Sequence, residues 1–190
     1  MEDILKKIII KRGYSSEEYD ISMYGLRKIG LFSANFLFFL LLGVLFGCFV
    51  EMFVFLVLYA LLRIYAGGFH MSRLWKCEIL SVLTVVVVII GICYIHEGRF
   101  NRIEMTIIFL SLVVHYLLAP QDNPRKRLYS KEKKKYRICT WIITSVYYIF
   151  SIVCGSIGWF DLQHTVGFVL IASAVSIMEN YIYERISAEG

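Results

Sequence analysis

GLFSANFLFFLLLGVLFGCFVEMFVFLVLYALLRIY, residues 30–65, is a mostly apolar run of 36 residues interrupted by Glu51. A helix crossing a bilayer needs about 20 residues, so this run is too long for one span. It reads as two helices, 30–49 and 52–65, joined by a tight turn near residues 48–51. Four more apolar runs follow, at 79–95, 103–119, 138–160 and 164–181, with turns between them such as 160–164. The expected fold is therefore all-α: a polytopic membrane protein of about six transmembrane helices, in a single domain over residues 1–190. The second span is the weakest of the six, being short and ending in a basic segment.

Composition agrees. Hydrophobic residues make up 58% of the 190, with two prolines, against about 45–50% apolar in soluble domains. The mean hydropathy is +0.66, and the apolar residues come in unbroken runs that a water-soluble core does not need. Residues 1–28 hold no apolar stretch of the length a secretory signal requires. Instead Ile4, Leu5, Ile8 and Ile9 share one helical face, with Lys6, Lys7, Lys11 and Arg12 mostly off it. This suits an amphipathic helix lying in the bilayer interface, an exposed, frayed terminus being the alternative.

Basic residues set the orientation. They crowd residues 1–28, the 63–77 connection (Arg63, Arg73, Lys76) and the 121–137 loop (Arg125, Lys126, Arg127, Lys131, Lys133, Lys134, Lys135, Arg137). The turns near Glu51 and at 160–164 have none, and 96–102 has only Arg99 and Arg102. That alternation is what six spans require, and the positive-inside rule puts both termini and residues 63–78 in the cytoplasm of the cell.

Five cysteines, at 48, 77, 93, 139 and 154, show no C-x-x-C spacing. Four lie in apolar runs, so neither a disulfide framework nor a metal site is expected. Cys77 stands apart, in the polar stretch RIYAGGFHMSRLWKC (residues 63–77). Arg73 and Lys76 would lower its thiol pKa, on the side of the membrane where thiols stay reduced. His70 is the sole histidine expected on that side and could serve as its base. Gly67 and Gly68 allow a bend and could bring amide N–H groups to a developing oxyanion. On one straight helix His70 and Cys77 would lie ~10.5 Å apart along the axis, too far for a nucleophile–base pair. The segment must therefore bend between them. Taken alone, a His and a Cys at this spacing would also suit an ordinary solvated loop.

The pattern Arg63-x-x-Ala66-Gly67-Gly68-x-His70, followed by Cys77, resembles the signature of the accessory gene regulator protein B (AgrB) family. These are membrane cysteine endopeptidases of Gram-positive quorum sensing. The likeness extends to chain length, span count, Ala119-Pro120 with Pro124, and the basic loop after the fourth span. The resemblance implies that Cys77 is the nucleophile and His70 the base, with Arg63, Gly67 and Gly68 as motif positions. It implies an AgrD-type propeptide as substrate, held as a thioester and closed to a thiolactone or lactone. No cofactor is implied, no nucleic acid is expected, and the lipid bilayer is the other partner. A homodimer is left open.

The basic loop has two readings, which can hold together. It enforces topology and binds anionic lipid, or Lys131, Lys133, Lys134 and Lys135 receive the acidic tail of the peptide. Glu78, Asp122 and Glu132 could orient His70 but read more simply as exposed charges. Glu51 and Glu179 read as interface residues, and His115 as a hydrogen-bonded packing residue. The competing function is a non-enzymatic helical transporter or scaffold with a basic docking loop, for which mid-membrane polar residues and internal repeats would be the signs, and neither is convincing in this sequence.

Overall fold

The computed structural model describes residues 16–67, 74–95, 100–121 and 129–189. They form α1 (Ser16–Leu45), α2 (Phe49–Ala66), α3 (Leu74–Ile95), α4 (Arg102–Leu118), α5 (Ser130–Ile157) and α6 (Phe160–Glu189). Among the described residues there is no strand, and the all-helical polytopic architecture is as expected. Phe49–Ala66, Ser130–Ile157 and Phe160–Ile186 are long and apolar enough to cross a membrane, while α1 and α3 carry the shorter apolar stretches Ile29–Leu45 and Ile79–Ile92. The second helix is stronger than its sequence reading: it starts at Phe49, and its mean hydropathy of 2.0 is the highest of the three. The interfacial helix expected from Ile4, Leu5, Ile8 and Ile9 lies outside the described residues.

The chain divides into two compact units, Met1–Leu41 and Leu42–Gly190. Most of α1 makes up the described part of the first.

Two turns fall earlier than expected, and in each a glycine explains the position. The first is at residues 46–48. Gly47 takes φ +73°, its N–H donates to the Val44 carbonyl (3.2 Å), and the Cys48 N–H donates to the Gly43 carbonyl (2.8 Å). That pair of bonds satisfies the last carbonyls of a helix, and it needs a left-handed residue, which glycine supplies most cheaply. Glu51 therefore sits in the first turn of α2. The second is at Gly158, φ +87°, where the Trp159 N–H returns to the Cys154 carbonyl at 2.9 Å. Residues 160–164 are already helix. The basic run also begins its helix early: Ser130 onward is α5, so Lys131 to Arg137 form its first two turns. At the head of α4, Asn101 accepts from the N–H groups of Ile103 and Glu104 while Glu104 accepts from Asn101 N–H, a reciprocal cap.

Within the second unit α6 is the hub, packed by α2, α4, α5 and, more lightly, α3. Val166, Val169, Leu170 and Ile177 are wholly buried there, as are Met52 and Leu62 of α2. The outward side of α5 keeps Ile142, Val146, Ile149 and Val153 exposed, as lipid contact requires. Lipid tails are as apolar as leucine, so helix association in a bilayer relies on close fit at small residues. A Cβ at Gly91 would lie 2.3 Å from the Phe168 ring, and one at Gly167 would lie 2.7 Å from Phe100. At Gly155 it would meet the Gln163 amide at 2.4 Å.

The exits of α2, α4 and α6 share one end of the bundle. Gln121 N–H donates to the Ala66 carbonyl at 3.0 Å, and Asn180 reaches the Gln121 side chain at 3.2 Å. The start of α5 joins them, with Tyr136 edge-on to Tyr65 at 5.8 Å. Phe100 and His164, 4.6 Å apart, mark the other end.

Candidate functional site

The motif positions divide at Gly67. His70 and Gly68 lie outside the described residues, and Cys77 is described by its backbone alone, in the first turn of α3. Cys77 is fourteen residues before Gly91, about 21 Å along α3 at ~1.5 Å per residue. The same length of α6, counted from Phe168 against Gly91, ends at Ile182, two residues past Asn180.

Arg63 occupies the last turn of α2. Its Nη1 donates to Tyr59 Oη at 2.7 Å and to Ser176 Oγ at 3.1 Å. The guanidinium also lies over the Tyr59 ring, 5.7 Å from its centroid. Glu179, one turn on from Ser176, is within electrostatic reach of Arg63. Glu179 is half-buried, on the same stretch of α6 as Ser176. The charge of Arg63 is used to tie α2 to α6.

Gly67 is required twice over. Its φ of +75° with ψ −159° is a backbone conformation essentially confined to glycine. A Cβ there would also lie 2.7 Å from the Gln121 carbonyl oxygen. The chain reaches Gln121 through the Ala119–Pro120 bond, which is cis. Gln121 Nε2 donates to the Leu118 carbonyl (2.6 Å) and its Oε1 accepts from Asn180 Nδ2. Asn180 is 5% exposed and also donates to Glu184 at 3.3 Å. Gln121, Ser176 and Asn180 escaped the sequence reading, although Ser173, Ser176 and Asn180 sit three and four residues apart in an apolar helix. That spacing marks one inward polar face.

Lys131, Lys134 and Lys135 line a shallow depression with Ile138 and Cys139. The spacing i, i+3, i+4, i+7 on α5 gathers them on one face. Lys133 is not part of it. Glu132 accepts from Tyr129 N–H at 3.3 Å, at the head of its own helix.

Deeper in the bundle, His115 is fully buried. Its Nδ1 is 2.7 Å from the Ser111 carbonyl and its Nε2 3.0 Å from Ser173 Oγ. A carbonyl only accepts, so Nδ1 carries the hydrogen, and in the neutral ring Nε2 accepts from the serine hydroxyl. Both nitrogens are used, as a packing histidine needs. Among the described residues, no group of three or more His, Cys, Asp or Glu could hold a metal ion.

The family model described as Accessory gene regulator B matches residues 1–182. The chain is 30% identical to the protein FsrB of Enterococcus faecalis over 128 residues, 62% of this chain and 50% of that one. It is 27% identical to the putative AgrB-like protein 2 of Clostridium perfringens over 143 residues, 70% of this chain and 64% of that one. The chain thus spans about half to two thirds of the length of these relatives. No solved structure matches.

Proposed function

The chain belongs to the accessory gene regulator B family, and from that premise we propose that it is a membrane cysteine endopeptidase that cleaves an AgrD-type propeptide. The work is done in the cell membrane of a Gram-positive bacterium, and the product is a cyclic quorum-sensing peptide. The observation that carries this reading is the family match over residues 1–182, which runs through the whole Arg63–Cys77 motif. The start of α3 at Leu74 supports it, because the backbone of Cys77 is then carried in the first turn of a helix.

In the proposed reaction His70 takes the thiol proton of Cys77, and the thiolate attacks the scissile carbonyl carbon. The tetrahedral oxyanion is met by amide N–H groups near Gly67 and Gly68. The C–N bond breaks, and His70 returns the proton to the departing amine. The peptide is now a thioester on Cys77. Its own Cys or Ser side chain, deprotonated by His70, attacks that carbonyl, and Cys77 leaves as thiolate to recover its proton. One peptide bond is lost, one thiolactone or lactone bond forms, and no water is consumed. A site at the membrane boundary limits competing hydrolysis.

The lysine face of α5 would receive the acidic tail of the peptide before cleavage. Gathering of the α2 exit and the basic turns of α5 at one end agrees with a cytoplasmic position for that end, and for both termini.

The test is processing of a synthetic propeptide by the protein reconstituted in liposomes. Cys77→Ala and Cys77→Ser should reduce cleavage on the order of 10³-fold or more, at unchanged protein level. Near-parental cleavage by Cys77→Ala would refute the assignment.

A further inference from the structure

The exit of α2 is tied to two other helices at one point. Arg63 reaches Ser176, and the Ala66 carbonyl, the last of α2, accepts from the Gln121 N–H. The Gln121 side chain is held in turn by Asn180. A helix end normally has unsatisfied carbonyls that move with solvent. Here the last carbonyl is bonded to a segment leaving α4, and that segment is bonded to buried Asn180 of α6. Both Asn180 amide hydrogens are engaged, one on Gln121 and one on Glu184.

We propose that Gln121 and Asn180 form a clamp on the exit of α2, fixing where the chain leaves Gly67 and so positioning the segment that carries His70. They are positioning residues, acting through the backbone of Ala66 and Gly67 without touching substrate. The glycine at 67 is then the cost of the clamp: only a residue without a Cβ lets the Gln121 carbonyl approach so closely. What the segment is used for rests on the peptidase reading. The clamp itself does not.

Two measurements on the full-length protein separate them. Hydrogen exchange at the Gln121 and Gly67 amides reads the clamp whatever the chain does. Processing of the propeptide, with Cys77→Ala as control, reads its use. Asn180→Leu and Gln121→Leu should each speed exchange at Gln121 about tenfold or more and lower kcat about tenfold, leaving KM within twofold. The double variant should be no slower than the worse single, because both changes break one link. If Asn180→Leu fails to accumulate, Gln121→Ala gives the same reading from a less buried position. Unchanged exchange would overturn the clamp. Faster exchange with parental kcat, or a double variant as slow as the product of the two singles, would overturn its positioning role. Cleavage surviving in Cys77→Ala would instead refute the peptidase reading, with the exchange result still standing.

Discussion

Gly67 and Gly47 share nearly the same φ, +75° and +73°, but differ in their surroundings. A Cβ at Gly47 meets nothing within 4 Å, whereas at Gly67 it meets Gln121 at 2.7 Å. Gly47→Ala should therefore cost the conformational term alone, about 1–2 kcal/mol. Gly67→Ala meets a backbone conformation essentially confined to glycine and also displaces Gln121, and should cost clearly more, with loss of processing. Thermal denaturation of the two variants in the same detergent checks this, and equal melting temperatures would show that the approach of Gln121 is easily relieved. The residue scale also sorts the histidines. His115 has both ring nitrogens engaged within the bundle, so its polarity is explained without chemistry.

At the scale of the element, α5 is one helix with two characters. Its first two turns are basic and its remainder is an apolar span with exposed Ile142, Val146 and Ile149. Helical geometry turns a run of charges into a face: Lys131, Lys134 and Lys135 converge beside Ile138, and Lys133 does not. Replacing those three by alanine should raise KM for an acidic-tailed propeptide several-fold and leave kcat within twofold, since they act before bond breaking. The parental advantage should shrink with added salt. Lys133→Ala should do less than any of the three. Correct insertion with parental KM would leave the lysines a topological role only.

For the whole molecule, the pairing of helix ends carries the argument. Gln121 on Ala66 and Asn180 on Gln121 bring three exits together, so α2, α4 and α6 run one way and α3 and α5 the other. Tyr129 and Trp159 flank the two ends of α5, and both are well exposed, at 80% and 60%. With the native cysteines replaced, Tyr129→Cys should react with a membrane-impermeant maleimide from the cytoplasmic side only, and Trp159→Cys from outside only. Cys77, restored alone, should follow Tyr129→Cys. Labelling of Cys77 from outside intact cells would invert the assigned orientation.

Hydropathy alone was enough to fix the membrane class and to anticipate the six helices among the described residues, because a spanning helix must be apolar along its whole length whatever it packs against. The turns were legible too, in principle, since Gly47 and Gly158 mark where a left-handed residue is needed. The lysine face was half legible: the charges were plain, but their grouping waited on knowing that the helix begins at Ser130. Local pattern could not give the ties between Ala66, Gln121 and Asn180 or between Arg63 and Ser176, whose partners lie 55 to 113 positions apart. A hydrogen bond of that kind depends on which helix faces meet, and only the packing around α6 decides it.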